Sequence, residues 1–332
     1  MALNVGVVGV GSMGRNHVRI YAELDNVNLV AVADVDREAA ERVARTYHVN
    51  AYTDYQEMFA REDLDLISVA APTGFHRQVA MHAMNAGVNV LVEKPLAATV
   101  EEGEQMIALA QEKGVKLTVG HIERFNPAIL ELKKRLDDEP LGRIFQINVR
   151  RMGPFPPRVE DVGVVIDLAT HDLNIMEYLT NSQIKSLFAE TERRIHARYE
   201  DLVSGVMRFR NGVIGVLDIN WLTPTKIREL AIVGERGMFL VNYLSQDLYF
   251  YENNLASGNW ERLVAIGGVR EGQVVKYQVK RVEPLKAELQ SFVEAVENNT
   301  PPVISGAEGL RAVFLAHKLI ESGREHRLIE LP

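Results

Sequence analysis

The chain opens on Val5, Val7, Val8 and Val10, an uncharged β-branched run that reads as a buried strand. A helical pattern follows to about residue 23, and a second apolar run spans 29–33. The alternation then continues. Asp36 is placed to cap a helix over 36–47, and residues 50–52 read as a short strand. Asp54 is placed to cap a helix through residue 60, before an apolar strand over 64–70. A helix over 74–86 ends at Gly87, and a strand over 88–92 follows. Thr99 and Glu102 have capping-box spacing for a helix that Gly114 stops, and 115–119 form a sixth strand. Six strands alternating with helices predict an α/β fold with a doubly wound parallel sheet in the order 3-2-1-4-5-6.

The pattern changes near residue 120. A helix is expected from 127 to about 136, a strand over 143–151, a Pro-rich loop at 153–157 and a helix over about 166–179. From 184 to 282 the apolar alternation has hairpin spacing, with Asn211-Gly212 and Gly234 to Gly237 as turns. Two helices, 284–298 and 306–323, close the chain. This predicts a C-terminal α+β domain with a large, mostly antiparallel sheet. The expected division is 1–121 for a nucleotide-binding domain and 122–332 for a domain that binds substrate and mediates oligomerisation.

Chemistry enters at the strand ends, where open α/β sheets bind ligands. Gly9-Val10-Gly11-Ser12-Met13-Gly14 is a G-x-G-x-x-G between a strand and a helix, and Asp34 ends the second strand twenty residues past Gly14. Gly9 permits the turn, Gly11 lets a pyrophosphate reach the backbone, and Gly14 lets helix and strand pack. The N–H groups at the helix start, around Ser12 and Met13, face the phosphates. Asp34 can accept from both ribose hydroxyls and repels a 2′-phosphate, which favours NAD over NADP. Asp36 adds to that repulsion and Arg37 weakens it. After the fourth strand come Pro72, Thr73, Gly74 and His76, with Thr73 and the Gly74 backbone placed to meet the cofactor's sugar and nicotinamide. After the fifth come Glu93-Lys94-Pro95, where partial burial would make Lys94 a usable proton donor or acceptor. After the sixth comes Arg124-Phe125-Asn126-Pro127, with Arg124 a natural clamp for phosphate or carboxylate. Farther on, Asp167 and His171 stand at i and i+4 on one helical face, the spacing of a base and its orienter.

Composition narrows the choices. The 332 residues suffice for two domains, and 47% hydrophobic with 25% charged residues is ordinary for a globular protein. The net charge of −8 argues against general nucleic-acid binding. With no cysteine, thiolate catalysis, disulfides and cysteine-bound metals are excluded, and a reducing cytoplasm is the expected compartment. No apolar run approaches about 18 residues, so no membrane span is expected. No further His/Asp cluster has ligand spacing, so no metal is expected; the histidines at 17, 48, 82, 196, 317 and 326 carry no signal.

Over essentially its whole length the chain resembles the glucose–fructose oxidoreductase/inositol dehydrogenase (Gfo/Idh/MocA) family. The resemblance rests on Gly9–Gly14, Glu93-Lys94-Pro95, the Arg124–Pro127 junction and Asp167-x-x-x-His171. It implies an N-terminal Rossmann domain, a C-terminal domain with a large open sheet, and oxidation of sugar or cyclitol hydroxyls with tightly held NAD(P). It places Lys94, Asp167 and His171 on catalytic positions, and it implies a homodimer or homotetramer paired through the C-terminal sheet. The stretches 120–127 and 166–172 look closest to nucleotide-sugar dehydrogenases acting at C3 of UDP-N-acetylglucosamine-type sugars. Arg150 and Arg151 then offer guanidinium groups to a diphosphate.

The expected cofactor contacts are Gly9, Gly11, Ser12, Met13, Gly14, Asp34, Arg37, Pro72, Thr73, His76, Glu93 and Lys94. The expected substrate contacts are Arg124, Asn126, Arg151 and His171, with the sugar ring between the domains. Whether Lys94 or His171 is the base stays open. Two alternatives stand beside this reading: an inositol or simple-sugar dehydrogenase of the same family, and a dinucleotide-sensing protein without turnover.

Overall fold

The computed structural model describes residues 2–138, 141–156, 159, 162–253 and 271–332. The end of the expected Pro-rich loop and part of the hairpin region lie outside the described residues. The chain divides into two units, one of Met1–Ile122 with Glu283–Phe314, the other of Glu123–Val282 with Leu315–Pro332.

In the first unit β1 (Leu3–Val8), β2 (Val27–Ala33), β3 (Asn50–Tyr52), β4 (Leu66–Val69), β5 (Asn89–Glu93) and β6 (Leu117–Gly120) form one parallel sheet ordered β3-β2-β1-β4-β5-β6. This is the predicted order. The crossover helices are α1 (Ser12–Glu23), α2 (Arg37–Tyr47), α3 (Tyr55–Arg61), α4 (Thr73–Asn85) and α5 (Val100–Lys113). Their ends follow local chemistry. Asp36 accepts from Ala39 N–H and Asp54 from Gln56 N–H, capping α2 and α3. Gly114 ends α5 at φ +66°, a left-handed position that costs glycine nothing. The central strands β1, β4, β5 and β6 are mostly buried, so they read as largely apolar runs.

One face of this sheet packs on α3, α4 and α5, and the other on α1, α2 and a helix from much later in the chain, α8 (Pro284–Glu297). Leu285, Leu289, Phe292 and Val293 of α8 join Val18 and Tyr21 of α1 in one core. The expected division had left residues 283–314 in the second domain. Their apolar faces instead complete the first sheet's cover.

In the second unit β7 (Ile144–Pro154) and β8 (Ile184–Glu192) through β15 (Ile329–Glu330) form a nine-stranded sheet among the described residues. Its order is β14-β13-β12-β11-β7-β10-β9-β8-β15. The intervening strands are β9 (Leu202–Phe209), β10 (Ile214–Asn220), β11 (Leu222–Gly234), β12 (Gly237–Asn242), β13 (Asp247–Asn253) and β14 (Glu271–Tyr277). Every pair is antiparallel except β7 with β10. α6 (Pro127–Asp137) and α7 (Thr170–Thr180) belong to this unit. The last helix, α9 (Gly306–Glu325), is divided between the two units. No helix among the described residues is long and apolar enough to cross a membrane.

Candidate active site

The nucleotide end of the first unit is built by glycine. Gly9 has φ +88°, and a Cβ there would lie 2.6 Å from the Ala70 carbonyl oxygen. A Cβ on Gly14 would lie 1.8 Å from the Gly9 carbonyl oxygen, so both positions exclude any side chain. Gly11 is different: a Cβ there would meet nothing within 4 Å. Its side is open, and no side chain caps α1. An uncapped helix start beside open space is a cradle for an anion. Asp34 is held in place by Val10 N–H (2.7 Å) and Asp36 N–H (2.9 Å), one on each carboxylate oxygen. Each oxygen keeps a lone pair for a ribose hydroxyl. These residues fit NAD. The Arg37 side chain is largely exposed and reaches only towards Glu41, at 3.9 Å.

Two of the expected cofactor contacts are turned inward. His76 is buried, with Nδ1 2.8 Å from the Pro95 carbonyl oxygen and Nε2 2.8 Å from that of Ala71. It ties together the loops after β4 and β5. Glu93 is buried too, and its carboxylate accepts from His17 Nε2 at 2.8 Å. His17 continues through Nδ1 to Ser68 Oγ (3.0 Å), which meets the Tyr21 hydroxyl at 2.8 Å. Burial alone would push the Glu93 carboxyl up. The bond from His17 and the charges of His17, Lys94 and His76 reverse that and hold it below the usual carboxylate range. Lys94, next in sequence, is half-buried. Thr73 opens α4, with Pro72 exposed before it.

His17 had carried no signal in the sequence. It stands one turn after Gly14 on the inward face of α1, and the partner that gives it a role is 76 residues away.

In the second unit, Asp167 lies in a π turn, Val165–Ala169, that runs directly into α7, where His171 is buried. The expected single helix thus contains a local widening, a feature common at functional sites. Its start is capped by Glu200, whose carboxylate accepts from Val165 N–H and whose carbonyl accepts from Val164 N–H. A Cβ on Gly163 would lie 2.1 Å from the Glu200 carboxylate, so glycine makes room for this cap.

The arginines expected to meet substrate are engaged in the fold. Arg151 is buried and makes a two-point ion pair with Asp172, at 2.6 and 2.8 Å, and a third contact with Glu123 at 2.8 Å. Burial alone would push the guanidinium pKa down, but Asp172 and Glu123 raise it well above its ordinary value. Arg124 is buried 3.6 Å over the Tyr178 ring and donates to Asn174. Asn126 caps α6 through Ala128 N–H and donates to the Tyr243 carbonyl. Arg150 lies on the exposed face, 3.5 Å from Glu229. Arg151, Arg124 and Asn126 are thus each held by neighbours in the same unit, and Arg150 lies beside Glu229. Among the described residues no group of three His, Asp or Glu side chains could hold a metal ion.

Known proteins carry the same architecture. Residues 3–121 match the model of an oxidoreductase family with an NAD-binding Rossmann fold, and residues 129–240 match the GFO/IDH/MocA C-terminal domain. The chain belongs to the Gfo/Idh/MocA oxidoreductase family. Like the family's named dehydrogenases it is an NAD-dependent oxidoreductase acting on CH–OH groups, and its first unit is the NAD-binding domain. One relative, UDP-N-acetylglucosamine 3-dehydrogenase of Acidithiobacillus ferrooxidans, is 29% identical over 95% of this chain and 95% of its own. Inositol 2-dehydrogenase 2 of Saccharopolyspora erythraea is 30% identical over 66% of this chain and 67% of its own. A solved structure of the Acidithiobacillus enzyme superposes with a TM-score of 0.84, covering 97% of both chains at 28% identity. In this family setting the Glu93–Lys94 turn and the Asp167–His171 helix are the candidate catalytic elements.

Proposed function

We propose that this family member oxidises the C3 hydroxyl of a UDP-N-acetylglucosamine-type nucleotide sugar. The observation that carries this reading is the similarity to UDP-N-acetylglucosamine 3-dehydrogenase along nearly the whole length of both chains, second unit included. Inositol dehydrogenases also match this chain over 91–100% of its length, but at a lower identity of 22–27%. NAD, when bound, accepts the hydride at its nicotinamide.

The protein's own residues bind, orient and move the proton. His171 removes the hydroxyl proton, and Asp167 holds its ring and favours its charged form. Lys94 places a positive charge against the oxygen as negative charge develops there. The buried Glu93, fixed by His17, anchors the turn from which Lys94 projects. Gly11 and the start of α1 take the pyrophosphate, and Asp34 takes the ribose. The working form is a homodimer or homotetramer paired through the nine-stranded sheet, in the cytoplasm.

A substrate panel tests this. UDP-N-acetylglucosamine, free N-acetylglucosamine, myo-inositol and glucose are each mixed with protein and NAD, and nicotinamide reduction is followed. The nucleotide sugar should give the highest kcat/KM. Faster turnover of inositol would favour the cyclitol alternative, and reduction by none of them would favour a sensing protein.

A further inference from the structure

With Arg124 and Arg151 committed to the fold, the sheet face that carries α7 still holds a cation without a carboxylate. Arg228 on β11 stands directly opposite Arg151 on β7. Cross-strand partners share a face of the sheet. On that face Arg151 grips Asp172, the residue after His171, so Arg228 lies beside the helix of the Asp167–His171 motif. Asp167 is among the charges that act on it.

Arg228 is half-buried, and among the described residues no carboxylate is within ion-pair distance. Its Nη1 donates to the main-chain carbonyls of Met152 and Ile227. A guanidinium has five N–H donors, so Nε and Nη2 keep theirs for another acceptor. Burial and the neighbouring charge of Arg151 push its pKa down, and the charges of Asp172, Glu123 and Asp167 offset this only in part. A desolvated cation next to a second cation gains most from an anion that brings its own charge.

A second cation stands close by. The β11–β7 register is irregular between Leu222 and Ile227, and Lys226 emerges exposed from this irregular stretch. Lys226 and Arg228 flank Gly153: a Cβ there would lie 3.6 Å from Lys226 Cγ and 3.9 Å from Arg228 Nη1 and Nη2. Both side chains thus pass the same buried glycine, which brings the two cations together on one face. We propose that Arg228 and Lys226 form an oxyanion site that holds the diphosphate of the nucleotide-sugar substrate. This rests on the nucleotide-sugar reading above and adds an anion contact to those expected of Arg124 and Arg151.

The test uses Arg228→Met and Lys226→Met in the full chain. KM and kcat are measured with UDP-N-acetylglucosamine and NAD, UDP and inorganic pyrophosphate serve as inhibitors, and thermal midpoints check folding. A lost charge-assisted contact that acts equally on bound substrate and transition state raises KM and spares kcat. Arg228→Met should raise KM about 10–100-fold, and Lys226→Met about 3–10-fold, with kcat within about threefold. Inhibition by UDP and by pyrophosphate should weaken in parallel, while KM for NAD stays unchanged. A folded Arg228→Met protein with unchanged KM and unchanged UDP inhibition overturns the site. If Arg228→Met does not fold, Lys226→Met decides on the same criterion, because its side chain is exposed. Equal kcat/KM of the native protein for UDP-N-acetylglucosamine and free N-acetylglucosamine would overturn the nucleotide-sugar reading itself, a failure visible without any variant.

Discussion

Each unit buries a carboxylate next in sequence to a candidate catalytic residue, and each locks it with a cation-forming partner. In the first unit Glu93 precedes Lys94 and is held by His17. In the second Asp172 follows His171 and is held by Arg151. The partners differ in kind. Arg151 carries a permanent charge in a planar fork and serves two carboxylates, Asp172 and Glu123. His17 makes one bond to Glu93 and passes the other side of its ring to a neutral chain, Ser68 and Tyr21. The second cluster is a rigid charged joint between β7 and α7. The first is a hydrogen-bonded relay whose strength follows the charge on Glu93. Both scaffolds are buried and polar, and they should respond to pH with opposite sign: the Glu93 carboxyl is held low, whereas burial pushes the Asp172 carboxyl up despite Arg151.

The largest effect should come from breaking the rigid joint. Asp172→Asn leaves Arg151 buried with half its partners, and losing one partner of a buried pair typically costs about 3–5 kcal/mol. Urea unfolding should register that loss. A change below about 1 kcal/mol would mean that Glu123 alone satisfies Arg151.

A middle-sized effect should come from the relay. His17→Phe strips Glu93 of its main hydrogen bond and should cost about 2 kcal/mol at neutral pH. The sign with pH follows from the Glu93 shift. Its pKa is depressed in the folded state, so its stabilisation is present above the unfolded carboxyl range, about pH 4–5, and is lost as pH falls through the folded value. The native protein should lose this contribution on acidification, and His17→Phe should show less of that loss. Asp172→Asn and His17→Phe with identical pH profiles of stability would contradict the contrast between the two joints.

The smallest effect isolates a third buried acid. Both carboxyl oxygens of Glu288 on α8 lack a hydrogen-bond partner among the described residues. Burial, and then the charge of Glu93, push its pKa well up. Here the folded state keeps a proton that the unfolded chain releases, so stability falls as pH rises above the usual carboxyl range. Glu288→Gln removes that dependence. It should stabilise the protein by about 1–2 kcal/mol near pH 8 and by less near pH 5, read as thermal midpoints at the two pH values. Stabilisation that does not change with pH would show that Glu288 carries no proton-linked cost.

Much of the fold could be read from short-range pattern. Strand–helix alternation, the caps at Asp36, Asp54 and Thr99, and Gly114 are local, and the sheet order followed from them. Glycine chemistry at Gly9, Gly11 and Gly14, and the placement of Asp34, were equally local. What stayed hidden depends on distant partners. Nothing near α8 says which core its apolar face covers. Arg151 reads as an available cation until Asp172 and Glu123 are seen around it. His17 and Glu93 meet only once α1 packs beneath β5. Lys226 and Arg228 stand two residues apart on β11. Their neighbour Gly153 lies on another strand, and so the site was not visible in sequence.

The proposed oxidation moves one hydrogen atom from the sugar to the cofactor. UDP-N-acetylglucosamine carrying deuterium at C3 is incubated with the full-length protein and NAD, and the reduced cofactor is isolated for mass spectrometry and proton NMR. Deuterium should appear on C4 of the nicotinamide, transferred from C3 of the sugar, with a 3-keto nucleotide sugar as the other product. Reduced cofactor without deuterium, or no reduction with this sugar while free inositol is oxidised, would contradict the proposed oxidation.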